Sequence, residues 1–200
     1  MINKKIKDKI PPETIKIIDL KPENKDHIKQ SAELLVEGFK THWPEAWPDI
    51  SSALAEVYEA VFDGNRINRI AINYQGRVLG FIGGISQYKG RVWEIHPLVV
   101  HNSHQGKGIG RLLVMDLEKQ VSIRGGLTLF AGSDDENYMT SPSGCDLYPE
   151  VLKHLSCIKN LKGHPYEFYL KLGFTIVGCL PDANGPGKPD IYLAKRIVKY

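Results

Sequence analysis

Gln105-Gly-Lys-Gly-Ile-Gly-Arg111 places glycines at 106, 108 and 110 directly after the β-branched run Leu98-Val99-Val100. A strand feeding such a turn leads into a helix whose first N–H groups are unobstructed, because glycine tolerates positive φ and has no side chain to cover them. The positive end of the helix dipole faces the turn, and Lys107 and Arg111 add charge, so the segment is an anion cradle suited to phosphate. A Rossmann fingerprint requires G-x-G-x-x-G, but counting from Gly106 puts Arg111 at the last position, and the Walker spacing is absent. Nucleotide hydrolysis is therefore disfavoured.

The elements around this junction follow from periodicity. Residues 14–20 read as a short strand closed by Pro22. Asn24 caps a helix with Ile28, Ala32, Leu35 and Phe39 at three-to-four spacing, broken at His42-Trp43-Pro44. Asp49 or Ser51 opens a second helix with Ala53, Val57 and Val61 on one face, stopped at Asp63-Gly64. From Asn65 the period becomes two: strands over 67–74, 77–88 and 92–100, joined at Gln75-Gly76 and Lys89-Gly90, form an antiparallel meander. A helix over 106–124 aligns Ile109, Leu113, Leu117 and Val121, and a buried-type strand follows over 127–131.

Strand, helix and strand in succession imply a right-handed crossover with parallel pairing. The expected fold is thus α/β, a mixed and mostly antiparallel central sheet flanked by helices. Beyond it come a polar loop over 132–143, helices over 149–160 and 165–172, a strand over 174–180, a Gly/Pro-rich loop and a final strand over 191–198. This describes one domain over 14–200 carrying an insertion over 132–163, after a lysine-rich leader over 1–13 expected to be flexible.

Composition excludes several classes. No apolar run approaches membrane-spanning length, and the N-terminus lacks the apolar stretch of a secretion signal, so a cytoplasmic protein is expected. A net charge of +3 without basic blocks argues against nucleic acid. Cys145, Cys157 and Cys179 lack CxxC spacing, which argues against a disulfide framework or a zinc site, and no metal is expected. Between Arg124 and Lys153 there is no basic residue, while Asp134, Asp135, Glu136, Asp146 and Glu150 all fall there. That acidic segment in a basic chain points to a cationic partner or to a solvated loop.

Q-x-x-G-x-G after the strand resembles the pyrophosphate-binding motif of the GNAT acetyltransferase superfamily, and Phe168-Tyr-Leu-Lys-Leu-Gly-Phe174 resembles that family's C-terminal F-Y-x-K-x-G-F signature. The element order matches the family fold over 14–198. The resemblance implies acetyl-CoA as cofactor, cradled by Gln105, Gly106, Lys107, Gly108, Ile109, Gly110 and Arg111, with the backbone of Leu98 and Val100 along its pantetheine arm and Val99 or Val100 N–H at the oxyanion. The family often carries an Asn seven residues before the signature tyrosine; Lys162 stands there, and Asn160 is the nearest candidate.

Acetyl transfer to an amine needs a base, an oxyanion site and an acid for the departing thiolate. Tyr169, at the signature tyrosine's position, is the candidate acid. Glu94 and His96, two apart on one strand and so expected on the face of Leu98, are the candidate bases. Glu94 matches a catalytic glutamate of histone-type members, and an imidazole titrates near neutral pH.

The acceptor is expected between the two early helices and the acidic insertion. Trp43 and Trp47 offer an apolar wall beside Glu45, and Asp134, Asp135, Glu136 and Asp146 offer carboxylates for ammonium groups. The stretch Gly-Ser-Asp-Asp-Glu-Asn-Tyr-Met-Thr-Ser, followed by Cys145-Asp-Leu-Tyr-Pro149, is similar to one in bacterial aminoglycoside 6′-N-acetyltransferases. This resemblance implies direct attack by the 6′-amino group of a cationic small molecule within a ternary complex. A polyamine, peptide or protein N-acetyltransferase, and a module that binds acyl-CoA without catalysis, stay open, as does a homodimer.

Overall fold

In the computed structural model, residues 14–198 are described, and the expected leader over 1–13 lies outside the described residues. The chain begins with strand β1 (Lys16–Asp19), followed by two helices, α1 (Lys25–Phe39) and α2 (Ile50–Phe62). Each helix starts where a side chain satisfies a free N–H: Asn24 accepts from His27 N–H at 3.0 Å and Asp49 from Ser52 N–H at 2.8 Å. The meander is β2 (Arg66–Ile72), β3 (Val78–Gln87) and β4 (Val92–Val100); α3 (Ile109–Ile123) then crosses to β5 (Thr128–Asp134). Two short helices, α4 (Val151–Ser156) and α5 (Tyr166–Lys171), precede β6 (Thr175–Leu180) and β7 (Asp190–Arg196).

The seven strands form one sheet in the order β1-β2-β3-β4-β5-β7-β6, antiparallel throughout except for the β4/β5 pair that α3 connects. Helix α3 packs Leu113, Leu117 and Val121 on one face, against Ile82, Trp93 and Leu129. Helices α1 and α2 cover the other face over β2, β3 and β4, where Phe81 and Val99 meet Ile28 and Leu35. Burying both faces of the central strands is why their sequences read as continuous apolar runs.

Three boundaries differ from the expected ones. Helix α3 starts at Ile109, not 106, because Gly106 and Gly108 take φ of 73° and 88°, outside the helical region. Strand β5 runs on to Asp134 because β7 pairs with it along its whole length, from Thr128↔Arg196 to Asp134↔Asp190. The helix expected over 149–160 shrinks to Val151–Ser156, since 159–161 are drawn instead onto 139–141: Ser141 N–H donates to Lys159 C=O at 3.0 Å and Leu161 N–H to Met139 C=O at 2.8 Å. The insertion is thus a stapled loop rather than a long helix.

A bulge sets the geometry of the site. Ile82 pairs with Leu98 and Gly84 with Ile95, leaving His96 and Pro97 opposite the single residue Gly83. The extra residue inverts the alternation of β4: Ile95, Leu98 and Val100 all turn toward α3, while Val99 turns toward α1. Glu94 and His96 therefore share a face with each other but not with Leu98, contrary to simple alternation. The His96 ring lies 5.9 Å from that of Trp47, on the α1/α2 side.

Candidate active site

Strands β4 and β5 pair only from Val92↔Thr128 to Glu94↔Phe130 and then separate. The Val99 carbonyl faces β3, 3.0 Å from the point a Cβ on Gly80 would take, and His101 N–H donates to Leu79 C=O at 2.9 Å. Alternate residues of a strand present their backbone groups to opposite neighbours. The N–H and C=O of Leu98 and Val100 are consequently turned into the gap, whereas those of Val99 are not. Gln105 fastens the gap's upper end, donating from Nε2 to Val100 C=O at 3.2 Å and to Asn102 Oδ1 at 3.1 Å.

At the glycine turn, the first helical hydrogen bond of α3 is Leu112 N–H to Gly108 C=O at 3.1 Å, which leaves the N–H groups of Ile109, Gly110 and Arg111 without intrahelical acceptors. Gly110 is small for a second reason: a Cβ there would lie 3.2 Å from the Phe168 ring of α5. Between turn and α5 runs a cleft of about 490 Å3 lined by Leu98, Val100, Gln105, Gly106, Gly108, Ile109, Gly110, Arg111 and Tyr169, with His104 and Lys171 added to the expected residues. Lys107 is exposed at the turn. An apolar channel ending in free N–H groups and cations fits a long, mostly apolar arm ending in a pyrophosphate.

Tyr169 is 8% exposed, its ring 5.2 Å from Phe168 and 5.4 Å from Phe174. Burial raises the pKa of its phenol well above the ordinary value, so the hydroxyl stays protonated at neutral and mildly alkaline pH. The Asn160 side chain, the nearest match to the missing family Asn, instead bridges the backbone of His164, accepting its N–H at 2.7 Å and donating to its C=O at 2.9 Å.

The opposite face of the gap is acidic. Phe130, Gly132 and Asp134 alternate along β5 with the core residues Leu129 and Ala131, and Tyr192 places its ring 5.2 Å from Phe130. Glu94 is held by Gln87 Nε2 at 2.8 Å, and Asp134 Oδ1 accepts from Asn184 Nδ2 at 2.6 Å. Asp190, which pairs with Asp134, joins them. Burial first, then the charges of Asp134 and Glu94, raise its pKa to about 7, partly opposed by the Ser133 N–H. Asp190, Phe130 and Tyr192 were not expected here. The period-two pattern Asp190-Ile-Tyr-Leu-Ala carries the signal, but the Gly/Pro-rich loop before it conceals where the strand starts.

The other acidic residues do different work. Asp135 is fully buried, and its oxygens accept from Met139 N–H (2.7 Å), Thr140 N–H (2.8 Å), Thr140 Oγ1 (2.7 Å) and Ser143 Oγ (2.6 Å). Its place as an acceptor-binding carboxylate is corrected: it is the knot of the insertion. Desolvation alone would raise its pKa, but these hydrogen bonds outweigh it and the value lies below the ordinary one. Asp146 is exposed and accepts from Tyr148 N–H at 3.0 Å in a local turn, Glu136 is half-buried and Glu45 is exposed.

Trp47 is buried against Phe39 at 4.6 Å, and Trp43 stands 5.7 Å from the same ring. Asn137 Nδ2 donates to His42 C=O at 2.7 Å and so ties the insertion to the segment over 40–50. Asp135→Ala is expected to release residues 135–143 by stranding buried donors at about 1–3 kcal/mol each. Hydrogen exchange at Met139 and Thr140 reads it; unchanged protection there would contradict the assignment. Because the folded pKa is lowered, this stabilisation is complete above the unfolded carboxylate value and drains away as pH falls through the folded one.

A strand pair parted at a bulge, with an anion cradle at its upper end, defines an acyl-carrier transferase site. Residues 32–139 match the acetyltransferase (GNAT) family, and the chain belongs to that family as an acetyl-CoA-dependent N-acetyltransferase. Solved structures agree. An aminoglycoside 6′-N-acetyltransferase complexed with coenzyme A is 42% identical with a TM-score of 0.84, over 92% of this chain and 98% of that one. The aminoglycoside 6′-N-acetyltransferase from Enterococcus faecium is also 42% identical, with a TM-score of 0.83 and the same coverage, 92% and 98%. No curated protein gives a match. Among the described residues, no helix is long and apolar enough to cross a membrane.

Proposed function

We propose that the chain acetylates the 6′-amino group of an aminoglycoside by direct attack in a ternary complex. The observation that carries this reading is that the β4/β5 gap has two unlike sides: a cleft ending in free N–H groups on the α3 side, and a face bearing Glu94, Asp134 and Asp190 on the other. A cationic amine is drawn to the second side and meets the acyl arm at the gap. The 42% identity to two aminoglycoside 6′-N-acetyltransferases supports the acceptor class.

Bound acetyl-CoA supplies an activated thioester. The N–H groups of Ile109, Gly110 and Arg111 hold its pyrophosphate, and the backbone of Leu98 and Val100 aligns the arm. Val100 N–H takes the oxyanion role, since Val99 N–H is turned to β3. The amine's proton passes to Glu94 or His96, and Tyr169 protonates the departing thiolate. We place the protein in the cytoplasm, where Cys145 and Cys157, both free and exposed, stay reduced.

The test is thiol release from acetyl-CoA with aminoglycosides, linear polyamines and lysine peptides, for the wild type and Tyr169→Phe. Aminoglycosides should give the highest kcat/KM, and Tyr169→Phe should lose about 100-fold or more in kcat with unchanged cofactor affinity. Turnover confined to peptides would overturn the reading, and cofactor binding without turnover of any amine would leave a binding module in its place.

A further inference from the structure

We propose that Asp190, paired with Asp134, is a specificity-determining residue that holds a second ammonium group of the acceptor, distinct from the one acetylated; this rests on the acceptor reading above. Asp190 Oδ1 is buried and has no hydrogen-bond partner. The carboxylate lies across Gly132: a Cβ there would come 2.8 Å from Asp190 Oδ2 and 3.1 Å from Oδ1, so the bare backbone of β5 is what lets it sit on the open face. No Lys or Arg among the described residues forms an ion pair with Asp190, Asp134 or Glu94. A half-buried carboxylate pair with a buried, unpartnered oxygen and no internal cation is completed by a proton at low pH or by a cation from outside.

Distance argues that this cation is not the reacting amine. Glu94 sits at the last β4/β5 pair, opposite Phe130, where the strands part. Gly132 and Asp134 lie two and four residues further along β5, about 7 and 13 Å away at the rise of a strand. The Phe130 and Tyr192 rings, 5.2 Å apart, offer an apolar surface between the two positions for a ring or methylene chain. The acceptor that satisfies both ends has at least two cationic centres separated by a rigid or apolar spacer.

The raised pKa of Asp190 fits an unneutralised group; the titratable groups facing it are Asp134 on β5, Glu94 on β4, Tyr192 on β7 and Cys179 on β6. Deprotonation through about pH 7 therefore strengthens the grip.

Asp190→Asn tests this, with kanamycin A as a polycation and methyl 6-amino-6-deoxyglucoside as an acceptor carrying only the reacting amine. At pH 8 the variant should show KM and calorimetric Kd for kanamycin A raised on the order of 10-fold, from loss of a charge-assisted contact. Its acetyl-CoA affinity should stay as in the wild type, and its KM for the monoamine should rise far less than its KM for kanamycin A. The wild type's fall in kanamycin KM between pH 6 and 8 should be flattened in the variant. Unchanged kanamycin Kd in the variant overturns the inference, as does an equal rise for the monoamine. If the wild type binds kanamycin A without acetylating it, the functional reading falls while the Kd comparison still decides this one. If it does not bind kanamycin A, both fall.

Discussion

Gly83→Ala is expected to cost on the order of 3 kcal/mol and to abolish cofactor binding. A Cβ at this position would lie 2.1 Å from the His96 carbonyl oxygen and 3.0 Å from its carbon, inside any tolerable contact. Both are backbone atoms in the bulge of β4, so no rotamer change relieves the clash; the strands must separate or the bulge must be lost. Loss of the bulge slips the register, turning Leu98 and Val100 away from the cleft and Val99 into it. Gly84→Ala is the control. Its Cβ would meet a methyl at the end of the Leu117 side chain at 2.8 Å rather than backbone, so the penalty should be smaller. Urea midpoints and coenzyme A calorimetry report both effects, and a Gly83→Ala protein with wild-type stability and affinity would show that the bulge does not organise the gap.

Gly108→Asp should separate affinity from stability. The residue caps α3 with φ of 88°, a region that Asp tolerates at a cost of about 1–2 kcal/mol. A carboxylate at a helix N-terminus also recovers about 0.3–1 kcal/mol from the dipole. The free protein should thus unfold close to the wild-type midpoint. The same carboxylate stands where pyrophosphate must lie, and coenzyme A affinity should fall by about 100-fold or more, a difference near 2.7 kcal/mol. Gly108→Asn keeps the shape without the charge and should bind better than Gly108→Asp. Equal affinity for the two would show that the turn is not an anion site.

The element order, the glycine turn and the helix row Ile109, Leu113, Leu117 and Val121 were all legible in the sequence, because each depends on neighbours within a few residues. Capping by Asn24 and Asp49 was legible for the same reason. The residues that line the cleft beside the glycine turn were legible as well: strand, turn and helix start are contiguous, and Tyr169 comes from a short signature with its own spacing.

The acceptor side was not readable in this way. One extra residue in β4, visible only as His96 and Pro97 facing Gly83, decided which face Glu94 and His96 occupy. Asp135 and Asp190 look alike as letters, yet one is enclosed by four hydrogen-bond donors from 139–143 and the other is left with an unpartnered oxygen over Gly132. The sequence by itself determined the fold class and the glycine turn with the cleft beside it, since both are written in local period and turn chemistry. Only the tertiary structure decided which carboxylates are satisfied inside the protein, because that depends on how residues 139–143 fold back onto Asp135 and on β7 laying Asp190 across Gly132, and neither is written in hydrophobic period.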